Sequence, residues 1–103
     1  MTEKFVRIDK RYETDGSLTT PSDYVYNVDG REVFVEIDAM VIHQWNAPGP
    51  EVKQVSEHQV KQAVAVLIKE KRGEGWSPRD SNRLVLDEFN VRPIAERLGW
   101  KPR

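Results

Sequence analysis

The pair Asp29-Gly30 sits between two alternating apolar runs, and no other feature restricts the folding of this sequence as much. An Asp-Gly pair in that setting favours a two-residue type I′ turn, because both central residues need positive φ. Closing the turn there sets Val28 against Arg31, Tyr26 against Val33 and Tyr24 against Val35. With Ile37 these residues make one mostly apolar face. The opposite face carries Asp23, Asn27, Glu32 and Glu36, relieved by Val25 and Phe34. A slip of one residue would exchange the faces, so the turn chemistry and the hydrophobic pattern specify the same register. The spacing predicts strands over 23–28 and 31–37.

Residues 4–12 also alternate, with Val6, Ile8 and Tyr12 on one side and Arg7, Asp9 and Arg11 on the other. They predict a third strand, although Phe5 falls out of phase. ETDGSLTTPS (13–22) collects the turn-forming residue types of a loop. After Ile37, DAMVIHQWN either prolongs the strand or starts a short helix over 38–45 capped by Asp38; Val41 and Trp45 at i, i+4 favour the helix.

The second half of the chain is helical in pattern. Ser56 followed by Gln59 is a capping box, and Val55 and Val60 stand at the staple positions. Val60, Ala63, Val64, Leu67 and Ile68 form a stripe. Lys69, Lys71 and Arg72 suit the last turn, and Gly73 suits the stop, so the helix is predicted over 57–72. NAPGPEVKQ (46–54) before it is a connector. Pro78 in Ser77-Pro78-Arg79-Asp80 fits the first turn of a helix over 78–89. Arg83-Leu84-Val85-Leu86 reads equally as a short strand, and the helix is the favoured reading. Asn90 can cap a helix over 91–98, with Phe89 and Ile94 as staple, Pro93 in the first turn and Gly99-Trp100 as a Schellman stop.

These elements describe one α+β domain over residues 1–103. A small antiparallel sheet of two or three strands packs on the main helix, with shorter C-terminal helices completing the core. Valine outnumbers leucine 13 to 5, in keeping with a sheet-rich core.

Composition narrows the function by exclusion. With no cysteine the chain has no disulfide framework, thiolate metal site or cysteine nucleophile. No apolar run is long enough to span a bilayer, and MTEKFVRIDK lacks a signal-peptide core, so no membrane association and a cytoplasmic location are expected. No phosphate loop, dinucleotide fingerprint or GxSxG elbow is present, and the serines occupy loop or cap positions. Glu32 and Glu36 share a strand face without the cleft a glycosidase pair needs. No cofactor is expected. His43 and His58 are the only side chains whose ordinary pKa lies near neutrality, and a small metal-assisted enzyme built on them is the third-ranked reading.

The formal net charge of −1 hides a segregation. Residues 1–52 hold five Lys or Arg and ten Asp or Glu, a net of −5; residues 53–103 hold eleven and seven, a net of +4. The three tryptophans stand at element ends, as lids of a core whose indole N–H groups reach solvent or backbone. The leading reading is a non-enzymatic protein-interaction or regulatory module. It would use the acidic face (Glu32, Glu36) or the connector segment (Trp45, Asn46, Pro48, Pro50), or pair with its own copies. The alternative is a nucleic-acid binder through Arg79, Arg83, Arg92, Arg97, Lys101 and Arg103. PIAERLGW (93–100) resembles the first helix of a helix-turn-helix domain, but only three residues follow it, leaving no recognition helix, and no family is assigned.

Overall fold

The computed structural model describes residues 3–9, 23–46, 55 and 57–102. Its elements are β1 (Glu3–Asp9), β2 (Asp23–Val28), β3 (Arg31–Ile37), α1 (Ala39–Gln44), β4 (Trp45–Asn46), α2 (Glu57–Gly73), β5 (Arg83–Leu86), α3 (Val91–Leu98) and β6 (Lys101–Pro102). The loop at 13–22, most of the connector at 46–54, and Tyr12, Ser56 and Arg103 lie outside the described residues. Among the described residues no helix is long and apolar enough to cross a membrane.

The hairpin forms in the expected register. Asp29 and Gly30 have φ of 53° and 84°, and Val28, Tyr26 and Tyr24 face Arg31, Val33 and Val35. Asn27 Oδ1 accepts the Gly30 N–H at 3.0 Å, so one residue of the polar face reinforces the turn. Tyr24, Tyr26, Val28, Val33, Val35 and Ile37 are all buried in a single core. Val60, Ala63, Val64, Leu67 and Ile68 of α2 meet them there. The Tyr26 hydroxyl donates to the Lys61 carbonyl at 3.0 Å, tying sheet to helix. Val55 and Val60, at the staple positions, are both buried.

Phe5 is out of phase for a reason the ladder makes visible. Phe5 pairs with Tyr26 and Arg7 with Val25, so Val6 is a bulged residue. The extra residue re-aims its neighbours: Val6 is exposed, while Phe5 and Ile8 pack on the core. The Phe5 ring meets Tyr26 edge-on with centroids 5.5 Å apart, and Lys61 Nζ lies 4.0 Å from its centroid.

The favoured helix over 78–89 does not form. Residues 83–86 are instead a strand parallel to β3, with Phe34 to Ile37 facing Arg83 to Leu86. The sheet is therefore mixed and four-stranded, in the order β1-β2-β3-β5, rather than purely antiparallel. The physical reason is period. Leu84 and Leu86 are buried while Arg83 and Val85 are exposed, an alternation that a helix would place on opposite sides. A parallel pair needs a long crossover, and α2 supplies it. Ser77-Pro78-Arg79-Asp80 forms a turn, with the Asp80 N–H donating to the Ser77 carbonyl at 3.0 Å and the Ser77 N–H to Asp80 Oδ2 at 2.9 Å.

Helix ends shift by a few residues. α2 continues through Gly73 and stops at Gly75, whose φ is 98°. The Trp76 N–H reaches the Lys71 carbonyl and the Gly75 N–H that of Arg72, which is a Schellman motif. Asn90 does not cap α3. Asp87 does so from three residues upstream, its Oδ1 accepting the N–H of Phe89 and Asn90 at 2.9 Å each. Asn90 Oδ1 returns the bond to the Asp87 N–H at 2.8 Å, a reciprocal cap. Moving the cap upstream leaves Phe89 in the turn that precedes α3, 78% exposed, so the expected staple with Ile94 is absent. Asp38, in contrast, caps α1 as expected, accepting the Met40 N–H at 3.1 Å.

Two outcomes are expected. Leu86→Ala lowers the unfolding free energy by about 2–5 kcal/mol, while Val85→Lys on the exposed side of the same strand changes it by less than about 0.5 kcal/mol; urea titration distinguishes this from a helix at 83–86. Burial pushes the Tyr24 and Tyr26 hydroxyls from their usual 10 up to about 12. Because folding raises these pKa values, their stabilising contribution is complete below pH 10 and is lost as pH climbs through about 12. Urea midpoints should fall over that interval, and Tyr26→Phe should flatten the fall.

Candidate functional site

The end of β3 and the end of α3 deliver two tryptophans to one place. From Asp38 the chain makes the six-residue α1, burying Val41 and leaving His43 and Gln44 exposed, and then extends at Trp45 (φ −122°, ψ 146°). At the other end, α3 stops at Gly99, whose φ is 78°. The Trp100 N–H donates to the Ala95 carbonyl at 2.8 Å and the Gly99 N–H to that of Glu96 at 3.3 Å. This Schellman turn drives Trp100 back into the core, 4% exposed. The chain then pairs with β4, Trp45 facing Pro102 and Asn46 facing Lys101 in a two-stranded sheet.

Between these elements opens a cleft of about 570 Å³. Trp45, Trp100 and Pro102 form its apolar walls, and His43, Gln44, Arg92 and Glu96 line it with polar groups. Arg92 and Glu96 stand one turn apart on α3, yet they form no ion pair with each other. Among the described residues Arg92 has no ionic partner at all. The Nε1 atoms of both Trp45 and Trp100 are shut off from solvent without an acceptor. A buried donor left unpaired costs about 1–3 kcal/mol, so two in one wall are an uncommon concentration. Trp76 behaves as a lid should, donating from Nε1 to the Ser81 carbonyl at 3.2 Å; Trp45 and Trp100 depart from that expectation.

The other candidate residues are scattered. Glu32 is held by Arg7 at 3.0 Å, and Arg7 also holds Asp9 at 3.0 Å. Those hydrogen bonds, Glu32 first, raise the Arg7 pKa above its usual value. Glu36 stands opposite Asp23 in the ladder. Arg83 reaches the buried Asp23 carboxylate at 3.3 Å and lies 5.9 Å from the Phe34 ring. Arg97 pairs with Glu70 at 3.1 Å, linking α3 to α2. Arg79 lines a second, smaller cleft beside the hairpin turn. Of the connector residues, Asn46 pairs with Lys101 beside the first cleft, while Pro48 and Pro50 are outside the described residues, as is Arg103. His43 lines the cleft and His58 is exposed in the first turn of α2. Among the described residues neither joins a group of three side chains able to hold a metal.

Four cleft residues, Gln44, Glu96, Trp100 and Pro102, have no counterpart among the sequence candidates. Trp100, Glu96 and Pro102 become wall residues through the pairing of β4 with β6, which brings together positions 45 and 102. Gly99-Trp100 was legible as a helix stop; the role of its ring was not. Set against protein-family models, curated proteins and solved structures, the chain matches none.

The glycine that turns Trp100 inward should be detectable by its backbone cost alone. A Cβ at Gly99 or at Gly73 would meet nothing within 4 Å. Gly99→Ala should therefore destabilise the fold by about 1–2 kcal/mol through its left-handed φ. Gly73→Ala, in the last turn of α2, should stabilise it by up to about 0.5–1 kcal/mol. Thermal unfolding of the two variants checks both signs.

Proposed function

We propose that this protein is a non-enzymatic interaction module that receives an extended segment of a protein partner in the Trp45–Trp100 cleft. The observation that carries the reading is the convergence of two tryptophans and an ionically unpartnered Arg92 on one open cleft of about 570 Å³. Tryptophan and arginine are the residue types that most often dominate protein interfaces, in pockets ringed by polar groups. His43, Gln44 and Glu96 supply such a ring, and Lys101 flanks it on β6. A carboxylate of the incoming segment would meet Arg92 through a bidentate hydrogen bond.

Two further observations support a protein-binding cleft over the other readings. Part of the acidic face is already engaged, with Glu32 bound by Arg7 and Asp23 by Arg83. A nucleic-acid surface would need the basic residues free and contiguous, but Arg83 and Arg97 are committed to Asp23 and Glu70.

Selection of displayed random peptides against the folded protein tests the reading. Selected peptides should be rich in acidic residues, and Arg92→Glu should weaken their binding at least about tenfold, the loss of one charge-assisted contact. Because Arg92 is exposed and makes no ion pair, the fold should survive. Peptides that bind the Arg92→Glu protein as well as the original would sink the proposal, as would tight, salt-sensitive binding to nucleic acid in place of peptides.

A further inference from the structure

The second cleft, of about 380 Å³, is independent of the tryptophan site and has a different chemistry. One side is the hairpin turn, contributing Asp29 and Arg31; the other is the turn after α2, contributing Ser77, Pro78 and Arg79. We propose that this cleft is a phosphate-binding site, taking a phosphomonoester dianion between Arg31 and Arg79.

The accounting of charges is the first support. Three guanidinium groups, on Arg31, Arg72 and Arg79, stand near two carboxylates, those of Asp29 and Asp80. Both carboxylates are engaged locally. Arg72 Nη2 donates to Asp29 Oδ2, and Asp80 Oδ2 accepts the Ser77 N–H at 2.9 Å. The Arg31 and Arg79 side chains make no ion pair or hydrogen bond among the described residues, and both residues are exposed. The cleft thus has an excess of positive charge carried by the two side chains free to move onto a ligand.

Donor supply is the second. The Ser77 hydroxyl lines the cleft and makes no hydrogen bond of its own among the described residues. The lining side chains without a partner, Arg31, Arg79 and Ser77, thus carry only donors or a hydroxyl, while the one lining carboxylate, Asp29, is held by Arg72. Arginine forks match phosphate oxygens bidentately. A carboxylate would be satisfied by one fork and would leave the facing arginine unpaired, whereas a phosphate offers three oxygens and up to two charges. The two arginines sit on separate turns, each anchored by hydrogen bonds independent of the ligand: Asn27 with Gly30 on one side, Ser77 with Asp80 on the other.

Amide and arginine side-chain NMR signals, followed while sodium phosphate replaces sodium chloride at constant ionic strength, test the site. The Gly30 and Ser77 amides and the Arg31 and Arg79 Nε–H groups should shift saturably with phosphate and not with chloride. The double variant R31A/R79A should keep its melting temperature, since neither residue makes an ion pair, and should bind phosphate at least about tenfold more weakly. Arg97→Ala, removed from the cleft and paired with Glu70, should bind as the original does. A phosphoserine peptide run alongside distinguishes the source: tighter binding than inorganic phosphate assigns a phosphorylated protein, and equal binding assigns the free ion. Shifts that do not saturate, or a double variant with undiminished affinity, would overturn the proposal. Because the readout is local to the 29–31 and 77–79 turns, the fate of the tryptophan cleft does not affect it.

Discussion

The two-residue turn at Asp29-Gly30 is the constraint on which the rest of the structure depends. Its paired positive φ values fix which residue of β2 faces which residue of β3, and that registry decides which face is apolar. Six side chains, from Tyr24 to Ile37, are thereby placed on one surface broad enough to receive α2. Burying them is worth about 1.5–3 kcal/mol for each large aliphatic group, far more than any exposed ion pair of the surface, which contributes about 1 kcal/mol or less. The Arg7–Glu32 and Arg97–Glu70 contacts therefore decorate a fold that hydrophobic burial has already selected.

Each place where the structure departs from the sequence pattern involves a competition between local and non-local interactions. At 78–89 the local cues, a serine and a proline at a possible helix start, favoured a helix. The open edge of β3 outweighed them, because pairing with it satisfies the backbone of 83–86 and buries Leu84 and Leu86 together. Phe5 is out of phase with its strand until a bulge at Val6 is allowed, and only the partner strand reveals the bulge. Asn90 is the cap the sequence offers; the structure instead pairs it reciprocally with Asp87, whose carboxylate holds the Phe89 and Asn90 N–H groups.

The tryptophan cleft was half legible. Trp45 stood out because it precedes a proline-rich connector, and Arg92 because it belongs to the basic C-terminal half. Nothing in the order of residues says that they share a wall with Trp100 and Pro102. That depends on α3 stopping in a left-handed glycine and on a two-residue ladder between residues 55 and 57 positions apart, at Asn46–Lys101 and Trp45–Pro102. The second cleft was less legible still, since Arg31 entered the sequence reading only as the partner of Val28. Its proximity to Arg79 follows from the way α2 returns the chain to the hairpin end.

The sequence by itself determined the hairpin, its register, the α2 stripe and the α+β class, since each rests on neighbours within one turn or one ladder step, where stereochemistry and period are decisive. It also carried the charge segregation and the absence of cysteine chemistry. Only the tertiary structure decided that the sheet is mixed, that β5 is a strand, and which charges remain unpaired. Those outcomes depend on which distant segment pairs with an open strand edge or a buried carboxylate. Arg83 and Arg92 look alike in the sequence, but one meets Asp23 and the other an open cleft. Contact between residues far apart in sequence, rather than residue type, separates them.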